Sequence, residues 1–249
     1  MKNKIKYIIK FFNDDTLYFA ASLSFFTIFS MLPILALLLV IMSSTPYFES
    51  QIDLLMIYVY DFINPTHSQD VVFAIEGALK NIGKLGDIGV IYLFFIFFMF
   101  FKDYEYIISK IHYTKKRSFF PMILLYLSFL IIVPISLITI TFIMSYAKGN
   151  IFIGIINFSF ALFILTILFK ISANKFVSFK ASFVAASITL IVLKLTQVLF
   201  VYYIAYNTTY STIYGTLSAM LFMFLWIYFS WIVYLYGVKI SHRLNIGKK

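Results

Sequence analysis

The chain reads as an all-α, polytopic membrane helix bundle with six transmembrane helices plus amphipathic external helices. Three observations predict this. Hydrophobic residues fill 62% of 249 positions and charged residues only 12%, where a water-soluble domain carries about a quarter charged. So little polar surface cannot cover a core in water. The apolar residues gather into six long runs, too continuous for the alternating strands of a membrane barrel. The cations, finally, fall almost entirely on alternate loops. Cysteine is absent, which removes disulfide frameworks, thiolate nucleophiles, iron–sulfur clusters and cysteine-held zinc.

The first run, 17–42, is 26 residues long. It exceeds the roughly 7–15 residues of a signal-peptide core and the ~20 that cross a bilayer, so a tilt or bend is expected. Pro33 supplies a reason for the bend. The further spans are 85–101, 119–146, 151–169, 181–204 and 213–238. The 85–101 run has a short apolar core, and its helix is expected to continue through Lys102, Asp103 and Glu105. Pro134 marks a second bend, in the third span. No internal repeat is evident, and residues 1–249 read as a single transmembrane domain.

Between the first two spans, segment 43–84 is too long for a tight turn, and Pro46 and Asn64-Pro65 divide it. Residues 51–63 are apolar but too short to span, as in an interfacial or re-entrant helix. Val71, Val72, Ile75, Leu79 and Ile82 recur at helical spacing, with Ser68 at an N-cap position. That helix either lies on the outer membrane surface or packs over the end of the bundle.

Of the 20 Lys and Arg residues, 16 lie in the N-terminal tail, the second and fourth loops and the C-terminal end. Both termini are therefore expected in the cytoplasm. Six of ten acidic residues fall on the opposite side. The +10 net charge reflects topology and attraction to anionic lipid rather than nucleic-acid binding.

Lys194 is the only formally charged side chain well inside a span. A lysine at a helix centre costs ~2.5–3.5 kcal/mol on insertion scales, so it needs a partner or water. Ser187 and Gln197 share nearly the same helical face. This stripe would meet an anionic head group; alternatively the ammonium bonds to helix carbonyls or snorkels. Asn157 lies on one face with Gly154 and Ala161 and suits either an interhelical bond or a substrate contact.

Trp226 shares a stripe with Gly215, Ala219, Ser230 and Gly237, so it packs between small residues. Tyr214 belongs to a tyrosine group around the last external turn, an interfacial belt or a ring-binding platform. In the first span Ala20, Ser24, Thr27 and Ser30 recur at spacings that let helices approach and hydroxyls bond back or across.

Other chemistries lack their residues. His67, His112 and His242 read as belonging to three separate loops and cannot form a metal site on helical spacing. There is no phosphate-cradling loop with lysine, no nucleophile elbow, and no carboxylate cluster for a nuclease. No enzymatic activity, cofactor, metal or nucleic-acid partner is expected.

The run from Ala20 through Ser22-Leu23-Ser24-Phe25-Phe26-Thr27 to Leu32-Pro33 resembles the first-helix signature of the YihY/virulence factor BrkB family. Near the other end, Tyr214-Gly215 and Leu225-Trp226-Ile227-Tyr228-Phe229-Ser230, followed by Gly237, resemble that family's second pattern. Val238 and Lys239 stand where the family has a small residue and an acid. The resemblance implies a bacterial inner-membrane protein of six spans. The missing nuclease residues argue against the ribonuclease label some members carry. Transport of an envelope lipid or lipopolysaccharide precursor fits the residues best. The expected role is thus a transporter or flippase-like protein, with membrane lipids as partners. A non-transporting scaffold of the cell envelope is the alternative, and a ribonuclease the least fitting.

Overall fold

A computed structural model describes residues 15–43, 56–57, 60, 64–65, 68–82, 86–128, 150–206 and 217–246. Among them there is no strand, and seven helices carry the fold: α1 (Thr16–Ser43), α2 (Gln69–Ile82), α3 (Gly86–His112), α4 (Phe119–Ser128), α5 (Asn150–Ser172), α6 (Phe179–Tyr206) and α7 (Leu217–Ile246). Among the described residues three helical stretches, Phe152–Ser172, Phe179–Tyr206 and Leu217–Ile246, are long and apolar enough to cross a bilayer. The 119–146 run is described only as far as Ser128, and Pro134, Tyr214 and Gly215 lie outside the described residues.

Helix α1 runs unbroken through Pro33. α3 continues eleven residues beyond its apolar run, through Lys102, Asp103 and Glu105 to His112. This extension is driven by packing. Tyr104, Ile107, Ile108 and Ile111 are buried at helical spacing, while Lys102 and Lys110 stay exposed. α7 likewise runs past residue 238 to Ile246.

The main core joins Ala20 and Leu23 of α1, the buried face of α3, Met122 and Tyr126 of α4, Phe169 of α5, Ala185 and Ala186 of α6, and Leu235 and Val238 of α7. Rings of Phe100, Phe101, Tyr104, Tyr126, Trp231 and Tyr234 interlock through it at tilted, edge-on and stacked angles. Small residues let α6 and α7 meet closely. A Cβ on Gly237 would collide with the Thr189 hydroxyl and lie 2.7 Å from Phe169 Cζ. That glycine therefore fixes the approach of α7 to both α6 and α5.

Outside this core the rule of water-soluble folds is inverted. α5 and α6 turn Phe152, Ile155, Phe158, Phe163, Ile188, Ile191, Leu195 and Leu199 to the exterior. Such a surface is stable only against lipid.

The structure decides between the two readings of the 69–82 helix. Val71 and Ile75 of α2 are buried against Leu35 of α1 and Met223 and Ile227 of α7. The helix is packed over one end of the bundle, because its apolar stripe finds a waiting apolar notch between α1 and α7. Ser68 occupies the position before the first turn. Its N–H donates to Asn64 Oδ1 at 3.1 Å, and its carbonyl accepts from Asn64 Nδ2 at 2.7 Å. Asn64 thereby fixes the chain's entry into α2.

Candidate functional site

Lys194 projects from α6 fifteen residues after Phe179 and twelve before Tyr206, and its side chain is exposed. Its ammonium donates to Gln197 Oε1 at 3.1 Å, a pairing set by the i, i+3 geometry of the helix. Ile191, Leu195 and Val198 around it are also exposed. The pair is thus a polar spot at mid-height on an apolar, outward face. Ser187, half-buried one face-repeat earlier, donates back to the Phe183 carbonyl at 2.9 Å. The structure brings Lys194 and Gln197 together; Ser187 spends its proton inside its own helix turn.

The remaining candidates sit elsewhere. Asn157 is half-buried on α5. Trp226 is buried in an aromatic cluster, its ring 5.6 Å from that of Phe200 and packed with Phe222. In α1, Ser24 and Thr27 donate to the carbonyls of Ala20 and Leu23 at 2.6 and 2.7 Å. Thr27 Oγ1 also accepts the Trp231 indole N–H at 2.8 Å, a bond from α7 to α1. One hydroxyl therefore satisfies its own helix and ties a neighbour to it.

A second polar region forms where the extended α3 meets the ends of α4, α5, α6 and α7. Glu105, only 2% exposed, accepts from Arg117 Nη1 at 2.8 Å, from the Arg117 backbone N–H at 3.0 Å and from the Tyr126 hydroxyl at 2.8 Å. The same guanidinium donates to the carbonyls of Ile171, Ser172 and Ala173, capping the C-terminus of α5. A buried carboxylate is tolerated here because charge-assisted bonds surround it. Nearby, the hydroxyls of Tyr104 and Tyr234 bond at 2.5 Å, linking α3 to α7.

The histidines require a correction. His112 and His242 do not lie in separate loops. One closes the last turn of α3 and the other stands in α7, with ring centroids 5.1 Å apart. Both helices overrun their apolar segments, and 130 residues of sequence separation carry no local signal of the meeting. Lys175 Nζ donates to the His112 carbonyl at 2.8 Å and lies 3.0 Å from His242 Nδ1. Burial pushes the His112 imidazole down to about 3, helped by repulsion from His242 once that ring is protonated in acid and from Lys175. Burial, Lys175 and Arg243 bring His242 down to about 4. Both rings are neutral at pH 7. Among the described residues, no three His, Asp or Glu side chains group as a metal site would require.

Sequence reasoning missed this second region. By sequence Glu105 is a charge on the expected extension of the second span's helix and Arg117 a basic loop residue, and nothing local pairs them.

Long apolar helices with lipid-compatible exteriors define a helical membrane protein. The virulence factor BrkB family model matches residues 8–247, and the chain belongs to that family. It is similar to a UPF0761 membrane protein of Psychromonas ingrahamii, at 26% identity over 91% of this chain and 82% of that one. One from Vibrio campbellii is likewise 26% identical, over 96% and 81%. An Alcanivorax borkumensis relative of the same description is 22% identical over 96% of this chain, which spans 59% of its length. No solved structure matches the chain.

Proposed function

We propose that this protein crosses the inner membrane six times, with both termini cytoplasmic, and moves an amphipathic envelope molecule between leaflets. The cargo is a lipid or lipopolysaccharide precursor with an anionic head group, and the protein does no covalent chemistry on it. The single observation that carries this reading is the Lys194–Gln197 pair, exposed near the middle of an otherwise apolar outward helix face. A cation there is costly in hydrocarbon and attracts a phosphate or carboxylate travelling past it. A narrow polar spot lowers the barrier for a head group while the acyl chains stay in lipid. The alternation of basic loops supports the orientation.

The test is lipid translocation in proteoliposomes loaded with a fluorescent anionic lipid. Lys194→Ala is expected to slow translocation at least tenfold, about 1.4 kcal/mol of barrier, while Lys194→Arg retains most of it. Wild-type speed in Lys194→Ala would refute the assignment. A wild-type rate no faster than protein-free vesicles would favour a non-transporting scaffold.

A further inference from the structure

We propose that a cavity between the last turn of α3 and the loop after it binds the phosphate head group of an anionic membrane lipid. The site is separate from Lys194 and stands whether or not the protein transports. Tyr113 ends α3 in the left-handed region, with φ of 54°. Its N–H donates to the Lys110 carbonyl, and that of Thr114 donates to the Ser109 carbonyl at 3.0 Å. This turn folds the following segment back beside the helix. Between them lies a cavity of about 370 Å³ lined by Tyr106, Ser109, Lys110, Tyr113, Thr114 and Lys116, within the size range of small-molecule sites.

Two of its lining residues, Lys110 and Lys116, carry their ammonium groups to one ring. Lys116 Nζ lies 4.3 Å from the centroid of the Tyr106 ring and Lys110 Nζ 5.1 Å from the same centroid. Both cations rest against the same ring, and two like charges gathered at one place favour an anion beside them. Asp15 is the acidic group facing Lys110. Glu105 is already saturated by Arg117 and Tyr126. Thr114 Oγ1 is buried without a hydrogen-bond partner among the described residues, so a donor is held in reserve at the same place.

Depth argues for a lipid rather than a soluble phosphate. Lys110 Nζ is 5.7 Å from the ring centroid of Phe19, in the first turn of α1. Lys116 precedes by three and four residues Phe119 and Phe120, which open α4 and are 66% and 74% exposed. The cavity therefore sits where two apolar helices begin, at the level of head groups, with Tyr106 and Tyr113 in its lining. Basic pockets at this depth are suited to anionic lipid.

The experiment uses the full chain in detergent, titrated with phosphatidylglycerol, phosphatidylcholine or glycerol 3-phosphate and followed by native mass spectrometry. Phosphatidylglycerol is expected to bind preferentially. Each lysine contributes about fivefold near an anionic head group, so Lys110→Gln with Lys116→Gln weakens binding about 25-fold. The Lys110→Arg, Lys116→Arg pair retains binding, as does Lys180→Gln on α6. If the glutamine pair fails to fold, Thr114→Val serves instead, and it is expected to weaken phosphatidylglycerol binding several-fold. Undiminished binding in the neutralised variant, or equal binding of phosphatidylcholine, overturns the proposal. Glycerol 3-phosphate binding as tightly as phosphatidylglycerol would overturn the lipid assignment and give the cavity to a soluble phosphate ester.

Discussion

Glu105 and Lys194 are both charged groups on helices of an apolar bundle, and the protein treats them in opposite ways. Glu105 is enclosed, with Arg117 and Tyr126 supplying three bonds drawn from α4 and the preceding loop. Lys194 stands on the outer face of α6 with Gln197 as its hydrogen-bond partner. A group whose bonds come from several elements holds those elements together. One whose partner lies on its own helix turn holds nothing else in place. The contrast separates a structural charge from the proposed transport residue: removing the first should damage the fold, and removing the second should leave the fold intact and affect only the proposed translocation.

The sharpest way to break that contrast is Arg117→Ala. It strands a buried carboxylate and uncaps three carbonyls of α5, so a loss of about 3–5 kcal/mol is expected in detergent unfolding. A melting temperature near wild type would show that the pair is incidental. Next comes Gly237→Leu, which forces side-chain atoms into Thr189 and Phe169. Overpacking there should cost up to about 3 kcal/mol, read as lower thermal stability, whereas Gly154→Leu, with open space around the Cβ position, should be close to neutral.

A smaller effect concerns pH. His112 is neutral in the fold with its pKa lowered to about 3, while the unfolded chain binds a proton near the ordinary histidine value. The unfolded state therefore holds more protons below about pH 6.5, and stability falls as pH drops from there toward the folded value. At pH 5 the loss from His112 is of order 2 kcal/mol. Unfolding curves between pH 7.5 and 5 should show it, and His112→Gln should flatten them. Smallest of all is the effect of Lys194→Met on stability, within about 0.5 kcal/mol or slightly favourable. A large destabilisation would place Lys194 among the structural charges and erase the distinction.

Much of the architecture was legible without coordinates. The limits of α5 and α6 fall within three residues of the runs 151–169 and 181–204, because an apolar run in lipid must close its own backbone hydrogen bonds. The continuation of α3 through Lys102, Asp103 and Glu105 was expected from the short apolar core of the 85–101 run. The Lys194–Gln197 pairing was equally readable, since residues three apart on a helix are neighbours by geometry. The buried polar region was not. Glu105 meets Arg117 across a turn, and His112 meets His242 across 130 residues, and no local pattern encodes such distances.

The amino-acid order by itself determined that this chain lives in lipid, which apolar stretches are helical and which face of α2 is apolar, because these follow from solvation and helix periodicity. Only the tertiary structure decided that α2 packs onto the bundle, that Gly237 fixes how near α7 comes to α6, and that Glu105 is buried while Lys194 is not. Those outcomes depend on which helices become neighbours, and long-range packing has no signature in any short stretch of sequence.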